Sequence, residues 1–141
     1  MTLIVDASVA IKWFKREHDS PVAELVPLAD TLAAPEMLLA ELCNACWKAF
    51  RLRLLTAQQM DATPTVIRRY VGMFYSLEPL APRAVFISRA LDHPVYDCFY
   101  IALAEREAAP LVTADRRLLA KLASTPWAGT AVDLASFAPP P

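Results

Sequence analysis

The chain has 141 residues, 56% of them hydrophobic and 21% charged, with a formal net charge of −1. That length and apolar content suit one domain with a real core, and the apolar run from Cys98 to Ala104 is far too short to be one of the ~20-residue spans that cross a bilayer. Three cysteines argue against a disulfide framework, and Asp6 within the first apolar stretch argues against a secretory signal, so a cytoplasmic protein is expected.

Thr2 to Val5 reads as a short buried strand, and Asp6-Ala7-Ser8 opens a helix through Phe14. Ser20-Pro21 starts a short helix that Pro27 bends or ends, and a second strand falls near Thr31 to Ala34. Pro35-Glu36 starts a strong helix to about Arg53, with Leu38, Leu42, Ala45 and Ala49 on one stripe. Thr56 and Gln59 form a capping box for a helix reaching about Tyr75, kinked or broken at Pro64. Leu77 to Leu80 reads as a strand that Pro79 confines to a sheet edge. Pro82 opens a helix to about Leu91 and Pro94 another to Ala108. Leu111 to Thr113 is a buried strand, Asp115 to Ala123 a helix, and Gly129 to Asp133 a last weak strand. Strands alternating with helices predict an α/β fold, a parallel sheet covered by helices on both faces. The expected domain spans residues 1–138, with the prolines at 139–141 as a disordered tail.

Only Gly72 and Gly129 are glycines, so neither a dinucleotide-binding G-x-G-x-x-G nor a phosphate-cradling P-loop can be written onto the chain. Cys43 and Cys46 are spaced C-x-x-C but lie mid-helix, where two buried thiols are the expected reading. Four acids stand out: Asp6 after the first strand, Glu41 inside an apolar helix, Asp97 opening another, and Asp115 after the fourth strand run. Asp6 and Asp115 could each be helix N-caps, and Asp97 could serve a helix dipole. Taken together, at the carboxyl ends of strands where α/β sheets bind ligands, they favour one shared site. Carboxylates crowded there resist joint ionisation unless a divalent cation neutralises them.

The segments Leu3-Ile4-Val5-Asp6-Ala7-Ser8, Glu41 with Asn44, His93-Pro94-Val95-Tyr96-Asp97 and Leu111-Val112-Thr113-Ala114-Asp115-Arg116-Arg117-Leu118 together resemble the PIN domain, and most of all the VapC-type toxins of bacterial toxin-antitoxin modules. The resemblance covers nearly the whole chain. It implies a three-layer α/β/α sandwich with a central parallel sheet of four to five short strands. It also implies an Mg²⁺- or Mn²⁺-dependent ribonuclease acting on RNA, a homodimer, and a tightly bound VapB-like antitoxin. Carried over, Asp6, Glu41, Asp97 and Asp115 form the acidic metal pocket, with Ser8, Thr113 and Asn44 as supporting polar groups. Ala108-Ala109 departs from similar chains, which often have glycine after that helix; the difference concerns helix termination.

Three basic clusters lie next in sequence to three of the acids: Lys12, Lys15 and Arg16; Lys48, Arg51 and Arg53; Arg116 and Arg117. A basic rim around an acidic centre would bind RNA despite the net charge, although cations at helix ends are favoured in any case. The aromatics Trp13, Phe14, Trp47, Phe50, Tyr70, Phe74 and Tyr75 are expected to pack the core or to line a partner groove. Two rival readings are a catalytically silent PIN-like binding module and a metal-dependent phosphatase with Asp6 as nucleophile.

Overall fold

In the computed structural model, which describes residues 1–139, the chain begins with strand β1 (Thr2–Val5), helix α1 (Ala7–Ala10) and a 3₁₀ turn (Ile11–Trp13). Helices α2 (Ser20–Ala23) and α3 (Val26–Ala29) lead to β2 (Thr31–Pro35), then α4 (Met37–Arg51) and α5 (Ala57–Tyr70) to β3 (Val71–Tyr75). A 3₁₀ turn (Glu78–Leu80), α6 (Ala81–Leu91) and α7 (Val95–Glu107) precede β4 (Leu111–Thr113). Helix α8 (Arg116–Leu122), β5 (Ala131–Asp133) and a 3₁₀ turn (Leu134–Ser136) complete it.

The strands form one sheet in the order β3-β2-β1-β4-β5, parallel throughout. Ile4, Val5, Leu32, Ala33, Ala34, Leu111 and Val112 are all buried, the unbroken apolar runs that a sheet covered on both faces requires. Helices α1, α4 and α5 pack along one another, while α6 and α7 pack as a pair with α7 against β1, β2 and β4. Cys98 and Tyr100 to Ala104 of α7 are buried around most of its circumference, which accounts for a helix with no polar face. The expected three-layer sandwich is thus the observed one. Among the described residues, no helix is long and apolar enough to cross a membrane.

Several local expectations need correction. The helix expected to reach Tyr75 ends at Tyr70, and Val71–Tyr75 becomes the edge strand beside β2. Its β-branched and aromatic residues satisfy the open edge of β2, a tertiary demand that helical periodicity does not register. The segment read as an edge strand, Leu77 to Leu80, is a 3₁₀ turn with Pro79 in its first turn and Leu80 buried. Helix α5 runs through Pro64 without ending there, anchored by the Thr56 capping box. On α4 the buried stripe passes through Leu38, Leu42, Cys46 and Ala49, with Ala45 only partly covered. Ala108 closes α7 in the left-handed region at φ 49°, where the glycine of similar chains would avoid a cost of about 1 kcal/mol. Beyond Pro139, the expected tail lies outside the described residues.

Candidate active site

The strand order reverses at the centre of the sheet, because β1 leads to β2 on one side and pairs with β4 on the other. In parallel sheets the crevice at such a point, beyond the carboxyl ends, is where ligands bind. Asp6 directly follows β1 and Thr113 ends β4, both at the carboxyl ends beside this crevice. Asp6 caps α1 and is buried, only 6% exposed. Its Oδ1 accepts from the backbone N–H groups of Ser8 (3.0 Å) and Val9 (3.3 Å) and from the Ser8 hydroxyl, while Oδ2 accepts from the Thr113 hydroxyl. Ser8 Oγ in turn accepts from the Ala114 N–H at 2.9 Å, and Thr113 Oγ1 from the Asp115 N–H at 3.1 Å. The two expected supporting residues therefore tie β1 to β4 through Asp6.

Burial raises Asp6 to about 6, against the opposing hydrogen bonds of Ser8, Thr113 and Val9; the charge of Asp97 adds to the rise. Glu41, half-buried on α4, is also raised by burial, with its hydrogen bond from Tyr100 acting against the shift and the charge of Asp97 reinforcing it. Asp6, Glu41 and Asp97 thus come from β1, α4 and α7 into one electrostatic neighbourhood. No lysine or arginine contributes to the shift of Asp6 or Glu41.

The other candidates lie differently. Asp115 follows β4, but its Oδ1 caps α8 by accepting from Arg117 N–H (2.9 Å) and Leu118 N–H (3.2 Å). Asn44 is exposed on α4. Among the described residues, no three His, Cys, Asp or Glu side chains are grouped so as to hold a metal ion. The three cysteines are free, Cys46 and Cys98 buried and Cys43 partly so.

Two partners of the acids are not anticipated from the sequence. Tyr100 donates its hydroxyl to Glu41 Oε1 at 2.7 Å, and His93 Nε2 lies 2.7 Å from Asp97 Oδ2. The spacing offered a signal for one of them, since Tyr100 follows Asp97 by three residues, an interval that shares a helix face; His93 lies just before α7 begins.

The basic clusters are unequal. Lys12 is buried, with Nζ 2.9 Å from Asp19 and also bonded to Glu17. Lys15 pairs with Glu17 at 2.9 Å, and Arg16 with Glu24 at 2.9 Å on the surface. Lys48 and Arg51 are exposed near the end of α4, with Arg51 over the Trp47 ring. Arg117 is exposed, and Arg116 lies 3.3 Å from Asp133 while remaining 77% exposed. Trp13 stacks on Tyr70 at 4.8 Å, whereas Trp47, Phe50, Leu52 and Leu54 are exposed around the end of α4.

The family model of the PIN domain matches residues 3–124. The chain is 32% identical over 127 residues to Ribonuclease VapC3 of Pyrobaculum aerophilum, covering 86% of this chain and 95% of that protein. Among solved structures it is similar to PAE2754 of Pyrobaculum aerophilum (TM-score 0.69, 24% identity, 96% of this chain and 85% of that one). It is also similar to a toxin-antitoxin complex from Klebsiella pneumoniae (TM-score 0.70, 15% identity, 94% and 97%). A third likeness is to VapBC2 of Rickettsia felis bound to a promoter DNA fragment (TM-score 0.64, 13% identity, 94% and 98%). At these identities the structural likenesses establish the fold.

Proposed function

The chain belongs to the PIN domain family, and from that premise we propose that it is an Mg²⁺- or Mn²⁺-dependent endoribonuclease, the toxin of a VapBC-type module. The observation that supports the reading is that Asp6 and Glu41 both feel the charge of Asp97 with no lysine or arginine to offset it, Asp97 itself meeting only the His93 ring at 2.7 Å. Hard oxygen donors that repel one another suit a hard divalent cation. Magnesium keeps several waters and needs only one or two direct carboxylates, so a pocket without a three-ligand cage still fits it. Asp6, Glu41 and Asp97 would hold the ion, with Asp115 contributing from beside Thr113.

When bound, the cation acts as a Lewis acid on the phosphodiester and offsets the charge that develops as phosphorus is attacked. The chain's own groups do the rest. Ser8 and Thr113 hold Asp6 by both oxygens, so its direction does not change during the reaction. Glu41, whose proton affinity is raised, is suited to orient a water and accept its proton as that water attacks phosphorus, while the ribose oxygen released when its P–O bond breaks takes a proton from solvent. Lys48 lies seven residues beyond Glu41 on α4, about 10 Å along the helix, and with Arg51, Arg116 and Arg117 would form the rim that receives RNA phosphates. Lys12 is not part of this rim, because its charge is taken up internally. The exposed apolar residues Trp47, Phe50, Leu52 and Leu54 support a partner surface for a VapB-like antitoxin or a second copy of the chain.

The test is cleavage of a mixed RNA pool by antitoxin-free protein with Mn²⁺ or Mg²⁺, against EDTA and Asp97→Asn. Cutting that needs the metal and falls at least about 100-fold in the variant is expected. Equal cutting in EDTA would remove the metal reading. Metal binding without any cutting would favour a silent binding module.

A further inference from the structure

Tyr100 is among the largest fully buried side chains, 1% exposed on the apolar helix α7. A phenylalanine would fill the same space, so the hydroxyl needs its own explanation. A buried phenol requires a hydrogen-bond acceptor, and a neighbouring carbonyl usually suffices. Here the acceptor is a carboxylate oxygen on a different helix, Glu41 Oε1, at 2.7 Å. Burial, followed by the charge and hydrogen bond of Glu41, lifts Tyr100 well above its ordinary range, and Asp6 and Asp97 add to the rise. The phenol engages Oε1 and leaves Oε2 uncommitted.

Glu41 is only half-buried and has three rotatable bonds, so without a partner on α7 its carboxylate has rotamers that carry it outward toward water. Resting on the metal-dependent reading above, we propose that Tyr100 is a positioning residue: its buried phenol holds the Glu41 carboxylate inward, toward α7, in place for a divalent cation. His93 stands in a similar relation to Asp97, with Nε2 on Oδ2 at 2.7 Å. Tyr100 differs in reaching from one helix to another, so it sets the distance between acids and not merely the angle of one.

The experiment uses the full chain without antitoxin, as wild type, Tyr100→Phe, Glu41→Ala and the double variant. Mn²⁺ affinity is measured by calorimetry, and kcat and KM with an RNA substrate. Tyr100→Phe is expected to weaken Mn²⁺ binding about tenfold, the effect typical of losing an outer-shell partner, while KM for RNA stays within twofold. Adding it to Glu41→Ala is expected to cause no further loss, because the group through which the phenol acts is already absent. A lowered melting temperature with unchanged Mn²⁺ affinity would assign Tyr100 to packing alone and overturn the proposal. Additive losses in the double variant would overturn it too, since the phenol would then act through another group. Absence of Mn²⁺ binding by the wild type would remove the metal reading and this one together, whereas equal binding by wild type and Tyr100→Phe removes only this one.

Discussion

Two groups of acids in this protein meet opposite fates. Glu17 and Asp19 surround Lys12, with Lys15 also on Glu17. Burial pushes both acids upward, but the hydrogen bonds and charges of the lysines outweigh it, and both end below their ordinary values. Asp6, beside the crevice between β1 and β4, and Glu41 each feel the charge of Asp97 and have no lysine partner, and both end above theirs. The chain thus neutralises acids internally at the Lys12 corner and leaves repulsion standing at Asp6 and Glu41, where the proposed cation would relieve it. Burial alone does not make that difference, since it acts upward on all four of these carboxylates.

The most severe way to break the comparison is to remove the internal cation. Lys12 is 9% exposed, and Lys12→Ala leaves Glu17 and Asp19 facing each other across the space it vacates. Urea unfolding is expected to show a loss of about 3 kcal/mol, the low end for breaking a buried pair, because both acids keep some access to water. A loss below about 1 kcal/mol would mean that water replaces the lysine easily and that the corner resembles a surface cluster.

The next prediction turns on the sign of the Asp6 shift. Its value rises from an ordinary 3.8 to about 6 on folding, so between those limits the native state binds its proton more tightly than the unfolded chain. Stability from this group is therefore greatest at low pH, falls as pH rises from about 4 to 6 and is level above that, by at most about 3 kcal/mol. Glu17 and Asp19 run the other way, since their lowered values give stability that is present above the unfolded range and lost as pH falls. Asp6→Asn isolates the first trend and keeps an oxygen to accept from Ser8 and Val9. Without metal, the variant is expected to gain about 1–2 kcal/mol over wild type between pH 4 and pH 7, less than the limit because the contact with Thr113 is disturbed. Mn²⁺ is then expected to raise the melting temperature of the wild type and not of the variant. A stability difference that does not change with pH would show that Asp6 is already relieved without a cation.

Much of this was legible in the residues. The apolar runs ending in Asp6 and Thr113, the proline-marked helix starts and the Thr56-Gln59 box all placed elements within a few positions of where they lie, because caps and buried strands are local requirements. Val71–Tyr75 was not legible as a strand, since its reason is the open edge of β2 nearly forty residues earlier. At the site, the acids could be picked out because they coincide at strand ends and inside an apolar helix, although Asp6 and Asp115 each do the ordinary work of a helix cap. Their partners could not: Tyr100 is one aromatic among many on an apolar helix until α4 brings Glu41 to its hydroxyl. Lys12 shows the converse failure, a basic residue beside an acidic motif whose charge is consumed by Glu17 and Asp19, which a count along the chain cannot reveal.

The smallest expected effect sharpens the comparison from the side of the cations. If Lys12 is a structural charge and Arg116 and Arg117 are available ones, removing the arginines should leave stability alone and change only binding. Arg116 keeps a loose contact with Asp133, but it is too exposed for that pair to contribute much. Both arginines also sit at the start of α8, where the helix dipole disfavours positive charge, so their loss carries no penalty there. Arg116→Ala with Arg117→Ala is expected to stay within about 0.5 kcal/mol of wild type in unfolding. In an Asp97→Asn background, where RNA binding can be followed without cleavage, the pair should weaken affinity several-fold at low salt and reduce the slope of log K against log salt by about 1.4. The wild-type slope with both arginines gone would mean that phosphates do not reach this end of the sheet, and would leave Lys48 and Arg51 as the rim. An intact slope together with lost stability would reverse the assignment, making the arginines structural and returning the question of the RNA path to the α4 face.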